Sequence, residues 1–117
     1  MNNSVQVNSL SKSYGRKIAV KNINFSINEN EIIGLLGPNG CGKTTTIGML
    51  LGLLKPTEGE ILINGMKLEK NKISILQKIN FISPYIELPK KLTVKQNLEV
   101  YGRLYDVKNL TTKIEYL

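Results

Sequence analysis

The stretch that decides the fold of this 117-residue chain is Gly37-Pro38-Asn39-Gly40-Cys41-Gly42-Lys43-Thr44. It fits the pattern G-x-x-x-x-G-K-[ST], whose glycines keep side chains away so that backbone N–H groups can converge on a phosphate. The apolar run Glu31–Leu36 before it predicts a strand. Behind it, helical spacing predicts a helix from about Lys43 with one apolar stripe, formed by Ile47, Leu50, Leu51 and Leu54. Strand, phosphate-binding loop and helix are the order that this motif requires.

The residue types of the loop suit a bound triphosphate and a magnesium ion. Backbone N–H groups of about Gly40 to Thr45 would form an anion site at the positive end of the helix dipole. Lys43 would reach the β- and γ-phosphates, and the Thr44 hydroxyl would ligate Mg2+. The predicted nucleotide-binding residues of this stretch are Gly37, Pro38, Asn39, Gly40, Cys41, Gly42, Lys43, Thr44 and Thr45. The flanking strand and helix disfavour the alternative, a glycine-rich turn that binds nothing.

Composition is typical of an ordinary globular protein, with 41% apolar and 21% charged residues. The sole cysteine, Cys41, allows no internal disulfide, which favours a reducing compartment. No apolar run is long enough for a membrane span, and the first residues lack the features of a secretion signal, so we expect a cytosolic location. The net charge of +7 is best explained by solubility. A membrane-side partner is a second explanation, and nucleic acid the least favoured, since no aromatic residues interleave with the basic ones.

The remaining elements follow from local patterns. Alternating residues predict an antiparallel pair of strands over 5–10 and 19–27, with a turn at 11–16. Further strands are predicted at 60–63, before the Asn64-Gly65 hairpin turn, and at 79–82. The segment 70–78 is ambiguous, and two prolines exclude a regular helix over 83–89. Thr93 and Gln96 predict a capping box before a helix with one shared face, formed by Val94, Leu98, Tyr101 and Tyr105; a last helix is predicted from about Leu110.

Taken together, these residues resemble the nucleotide-binding subunit of ABC transporters over essentially the whole chain. The loop has Pro-Asn-Gly inside it, as is usual in that family. Ser13 to Ala19, followed by Ile23-Asn24-Phe25, resembles the family's opening hairpin, and Lys55 to Ile61 with Asn64-Gly65 resembles its next strand and turn. Leu92 to Leu98 resembles the start of its helical subdomain.

The resemblance implies an α/β fold, the N-terminal portion of a P-loop NTPase of the ABC ATPase type. It would contain an antiparallel β hairpin, a mixed sheet with the Walker A strand, loop and helix, and the start of a helical subdomain. We expect residues 1–92 to form a partial nucleotide-binding core and residues 93–117 to begin the helical subdomain.

The resemblance also implies ligands and partners. ATP and Mg2+ would be the cofactors, Tyr14 would stack on adenine, and Val20 would contact the base or ribose. An exposed turn tyrosine and a core valine are the alternatives for these two residues. The partners would be a transmembrane permease subunit and a second ATP-binding subunit, with no nucleic acid and no membrane span of the chain's own. Such a protein would be cytoplasmic and peripheral on the cytoplasmic face of the membrane.

The sequence departs from the family pattern in two ways. Where the family has a glutamine that reaches Mg2+, this chain has Ser83-Pro84-Tyr85, so no metal ligand is assigned there. That run resembles some bacterial exporter ATPases, and Pro84 and Tyr85 could shape the surface that a membrane subunit engages. The family's Ser-Gly-Gly signature, metal-binding aspartate, catalytic glutamate and histidine also do not occur in these 117 residues. We therefore assign no catalytic residue and do not expect the chain alone to hydrolyse ATP at a useful rate.

Two other functions are alternatives for this sequence. A complete small P-loop kinase or GTPase is disfavoured, because there is no Asn-Lys-x-Asp guanine motif and no arginine-rich lid. A non-functional truncated gene product is the other alternative. Its motivation is the apolar strand predicted at 31–36, which would need neighbours on both sides.

Overall fold

A computed structural model describes residues 3–83 and 87–117 of the chain. The described residues form two compact units, which divide between Asn80 and Phe81. The domain boundary after residue 92 stays a prediction. Predictions that concern Pro84 and Tyr85 lie outside the described residues.

The first unit contains a four-stranded antiparallel sheet in the order β2-β1-β3-β4. Its strands are β1 (Asn3–Tyr14), β2 (Lys17–Asn28), β3 (Glu58–Ile63) and β4 (Met66–Lys67). The β1–β2 hairpin confirms the predicted antiparallel pair, but both strands are longer than predicted and the turn between them is residues 15–16 instead of 11–16. Asn64 and Gly65, with φ of 49° and 73°, form the predicted turn between β3 and β4. Positive φ at both central residues is what a tight hairpin turn needs, which explains Asn-Gly at this point.

One face of the sheet packs on two helices, α1 (Lys43–Leu50) and α2 (Lys72–Leu76), around an apolar core. The buried core residues are Val7, Leu10, Val20, Met49, Ile61, Ile63, Leu68 and Ile75. α1 is shorter than predicted, and its predicted apolar stripe is confirmed only in part: Leu50 and Leu54 pack against the core, but Leu54 lies beyond the end of the helix. Its buried residues are Thr46, Gly48 and Met49, whereas Ile47 is 36% exposed. Gly52, with φ of 64°, follows the end of the helix, and the N–H groups of Leu53 and Leu54 both donate to the Gly48 carbonyl.

The two strands predicted at 31–36 and 79–82 do not form. Ile32 is 99% exposed and Leu36 is 91% exposed, so the first segment does not enter the core. A strand needs a neighbour that accepts and donates its backbone hydrogen bonds, and neither segment is paired with a strand of the described four-stranded sheet. The described sheet is accordingly antiparallel throughout, and the mixed sheet predicted around the Walker A strand is not observed in it.

The second unit contains two helices, α3 (Val94–Leu104) and α4 (Leu110–Tyr116), as predicted. The capping box at the start of α3 is confirmed: the Gln96 N–H donates to Thr93 Oγ1 at 3.2 Å, and the Thr93 N–H donates to Gln96 Oε1 at 2.9 Å. Asn97 is buried and its Nδ2 donates to the carbonyls of Leu92 and Thr93 at 3.2 and 3.1 Å. On the face predicted for this helix, Leu98 is partly buried and Tyr101 and Tyr105 are each 37% exposed, whereas Val94 is 77% exposed.

None of the helices in the described ranges is both long enough and apolar enough to cross a membrane.

The ion pair between Glu60 of β3 and Lys67 of β4 predicts how stability depends on pH. Lys67 Nζ lies 2.6 Å from Glu60 Oε2, and Asn8 Nδ2 donates to Glu60 Oε1 at 3.3 Å. Mainly through the hydrogen bond from Lys67, and then through that from Asn8, these contacts lower the pKa of Glu60 below its ordinary value of 4.5. A carboxyl group whose pKa is lower in the folded than in the unfolded protein stabilises the folded state at pH values above its unfolded-state pKa. This contribution to the free energy of unfolding is lost as the pH falls through the folded-state pKa.

We therefore expect Glu60→Gln to reduce the free energy of unfolding at neutral pH, and expect its difference from wild type to shrink on acidification through the pKa of Glu60. Urea unfolding at about pH 7 and about pH 2 measures this difference. Glu58→Gln, on the same strand, is the matched control. A difference for Glu60→Gln that is the same at both pH values would contradict the assignment.

Candidate functional site

The glycine-rich loop before α1 has no room for a side chain at two of its glycines. Gly37 has φ of 153°, and a Cβ atom there would lie 2.5 Å from Cys41 Sγ. Gly42 has φ of 95°, and a Cβ atom there would lie 2.6 Å from the Ala19 carbonyl oxygen and 2.9 Å from Val20 Cγ2. Both distances are too short for a carbon atom, so the glycines permit a tight loop at Gly37 and close packing at Gly42.

The contact at Gly42 places the start of α1 directly on β2. Gly42 is the N-cap of α1, and its carbonyl accepts a hydrogen bond of 2.8 Å from the Thr46 N–H. Val20 is buried between the sheet and this helix start, with 6% of its surface exposed. The antiparallel hairpin therefore fixes where the loop ends and the helix begins.

The Lys43 side chain folds back over the loop that precedes it. Its ammonium donates to the carbonyl oxygens of Gly37 and Pro38, at 2.5 and 2.8 Å, and lies 3.8 Å from Cys41 Sγ. The Cys41 N–H donates to the Pro38 carbonyl at 3.3 Å, which closes a turn inside the loop. The positive charge of Lys43 is thus held against two carbonyl oxygens of the loop.

The N-terminal turn of α1 has no capping side chain and no acidic residue. Gly42 cannot cap the helix, because it has no side chain. Thr44 is exposed and Thr45 is half-buried at this end. Free backbone N–H groups, the positive end of the helix dipole and the Lys43 ammonium together favour an anion. The chemistry of the donors fits a phosphate group, and the exposed Thr44 hydroxyl is an oxygen ligand of the kind that Mg2+ uses.

Tyr14 lies at the end of β1 with about half of its surface exposed. The Lys12 ammonium lies 5.2 Å from the centroid of its ring and also donates to the Lys55 carbonyl at 2.7 Å. The sequence predicted Tyr14 as a site residue but not Lys12. A lysine two positions before an aromatic residue on one strand could have indicated the contact, since such residues tend to share a face of the sheet.

The contacts in the structure divide the predicted site residues into two groups. Gly37, Pro38, Cys41 and Lys43 contact one another within the loop, and Gly42 contacts Val20. Tyr14 belongs to the second group, with Lys12, which is paired with Val20 across the hairpin. Val20 is therefore the residue through which the two groups are linked.

The G-x-x-x-x-G-K-T residues at the start of α1 fit the phosphate-binding loop of P-loop proteins, although the strand that usually precedes that loop is not formed in the described sheet. A family model described as "ABC transporter" matches residues 20–116. The chain belongs to the ABC transporter family.

Two curated relatives show the extent of the similarity. The chain is 41% identical over 101 residues to the linearmycin resistance ATP-binding protein LnrL of Bacillus subtilis, which covers 86% of this chain and 32% of the relative. It is 40% identical over 110 residues to the bacitracin transport ATP-binding protein BcrA of Bacillus licheniformis, which covers 92% of this chain and 35% of the relative. The chain thus spans about a third of the length of these relatives.

A solved structure described as an ATP-binding subunit of an ABC transporter has the same fold. It matches this chain with a TM-score of 0.81 and 28% identity, over 90% of this chain and 44% of the solved one. The predicted fold class, the N-terminal portion of an ABC-type P-loop ATPase, is confirmed by this match.

The packing at Gly42 predicts a difference between two glycine substitutions in the loop. Gly40 also has a positive φ, 85°, but a Cβ atom there would meet nothing within 4 Å. We expect Gly40→Ala to cost about 1–2 kcal/mol of unfolding free energy from backbone strain alone. Gly42→Ala should cost about 3 kcal/mol or more, because the new methyl group also meets Ala19 and Val20.

Urea unfolding of the two variants beside the wild type measures this difference. Equal destabilisation by the two substitutions would show that Gly42 does not pack closely on β2.

Proposed function

We propose that this chain is the nucleotide-binding, N-terminal part of the ATP-binding subunit of a bacterial ABC transporter, and that it binds Mg-ATP at the loop from Gly37 to Thr45. The observation that supports this most is the Lys43 ammonium, held by two loop carbonyls in front of an uncapped helix N-terminus. Family membership supports a nucleotide as the anion.

The phosphates would bind through the backbone N–H groups of residues 40–45 and through Lys43. Gly37, Pro38, Asn39, Gly40, Cys41 and Gly42 would form the loop around them. Lys43 would exchange its two carbonyl contacts for phosphate oxygens, which bear full negative charge and are stronger acceptors. In the structure the Lys43 ammonium already lies against the loop that would surround the phosphates.

The metal and the base would bind at the two ends of the nucleotide. Thr44 would supply one oxygen ligand to Mg2+, which shares the phosphate oxygens and keeps most of its water. Tyr14 would stack on adenine, because its half-exposed ring has a free apolar surface. Val20 is too deeply buried to offer a base much surface, so its main contribution would be to support Gly42 from below.

Bound ATP would power transport by a separate membrane subunit, together with a second ATP-binding subunit. Relatives named for linearmycin resistance and bacitracin transport support a role in transport, and one named for Nod factor export supports the exporter type. Hydrolysis of ATP would need a general base and signature residues that do not occur in these 117 residues. The proposal for this chain is accordingly nucleotide binding.

Replacement of Lys43 tests the proposal directly. Lys43→Ala should weaken Mg-ATP binding by about 10- to 100-fold, since a charge-assisted hydrogen bond contributes about 1.5–3 kcal/mol. Isothermal titration of wild type and variant with Mg-ATP measures this change. Lys21→Ala removes the same charge from an exposed position on β2 and should bind as wild type does.

The same titration of a second variant tests whether Thr44 binds Mg2+. Thr44→Val should weaken binding of Mg-ATP but leave binding of ATP without Mg2+ nearly unchanged, because only the metal uses the hydroxyl. Thermal unfolding shows whether the wild type and Lys43→Ala are both folded. If they are, equal affinity of the two proteins for Mg-ATP would contradict the proposed function.

A further inference from the structure

The Lys12 side chain has no role in the proposed function, yet it connects three parts of the molecule. Its ammonium lies 5.2 Å from the centroid of the Tyr14 ring, and it donates to the Lys55 carbonyl at 2.7 Å. Lys55 precedes β3, and Lys12 itself is paired with Val20 of β2. The lysine is therefore fixed at its far end by a backbone acceptor while it contacts the ring.

The backbone beneath Tyr14 is held at the same place. The Ser13 N–H donates to Thr57 Oγ1 at 3.0 Å, and the Thr57 N–H donates to the Ser11 carbonyl at 2.9 Å. Tyr14 is also paired with Lys17 across the two-residue hairpin turn. With the backbone fixed on both sides, rotation of its own side chain is the main freedom left to the Tyr14 ring.

A cation attracted to the face of an aromatic ring restricts that rotation. The attraction is electrostatic, and it acts on one face of the ring and leaves the other available. A base that stacks on an aromatic side chain needs one free face at a fixed position. An ordered ring loses less conformational freedom on binding than a mobile one.

We propose that Lys12 is a positioning residue for the adenine-binding face of Tyr14. It occupies one face of the ring, holds the side chain in place, and presents the opposite face to the base. This role rests on the proposed function, because it requires a purine nucleotide at this site. Lys12 does not itself contact the phosphates in this role, so its effect is confined to recognition of the base.

The test compares ATP with inorganic triphosphate, which has the phosphates but no base. In Lys12→Met the affinity for Mg-ATP should fall by about threefold, the size expected of one exposed cation–π contact. The affinity for magnesium triphosphate should not change. Lys12→Arg should restore the affinity for ATP, since arginine also binds aromatic faces. Lys17→Met, which removes a charge at the position paired with Tyr14, should leave the ratio of the two affinities unchanged.

Two further measurements separate positioning from a general effect of charge or folding. In a Tyr14→Ala background, Lys12→Met should cause no additional loss of ATP affinity. In the protein without nucleotide, NMR should find the ε-methylene protons of Lys12 shifted upfield by the ring of Tyr14, and Tyr14→Leu should abolish that shift.

The proposal is overturned if Lys12→Met weakens ATP and triphosphate equally, if it leaves ATP affinity unchanged, or if the upfield shift is absent. A wild-type protein that binds neither ligand overturns the proposed function, and the role of Lys12 in base recognition with it. If ATP binding depends on Lys43 but not on Lys12, the proposed function is supported and the role of Lys12 is contradicted.

Discussion

The close contact between Gly42 and β2 is the constraint on which the rest of the site depends. A missing side chain lets the start of α1 approach within contact of the Ala19 carbonyl and Val20 Cγ2. From that point the helix brings Met49 into the core with no exposed surface, so the docking is stabilised by apolar burial further along. The loop then has one fixed end, although the residues before it are exposed. The positions of Lys43 and Thr44 follow from this fixed end.

The same hairpin supports both halves of the proposed nucleotide site. Val20 lies beneath the start of α1 on the phosphate side, and its cross-strand partner Lys12 contacts Tyr14 on the base side. The two sides are therefore joined through one antiparallel hairpin, whose register is irregular on both sides of Lys12. The arrangement explains how a small set of residues could bind a nucleotide without the catalytic groups of the family.

The sequence predicted those features that depend on local patterns. The capping box of Thr93 and Gln96, the Asn64-Gly65 turn and the long hairpin each need only neighbouring residues, and each is present. The strand predicted at 31–36 needs partners from elsewhere, so its apolar residues could not decide its structure. The buried face of α1 and the contact of Lys12 with Tyr14 also depend on tertiary packing, which periodicity does not report. The family could be predicted because its motifs are specific, whereas the roles of individual site residues need binding measurements.

Hydrogen exchange of the 117-residue chain tests the central claim, that the hairpin contact and not a preceding strand holds the loop. Without nucleotide, backbone amides of β1 and of α1 after Thr46 should be protected, and those of 31–36 should exchange at nearly the rate of an unstructured chain. Addition of Mg-ATP should protect the amides of Gly40 to Thr45. Protection of 31–36 equal to that of β1, in the absence of nucleotide, would contradict the account.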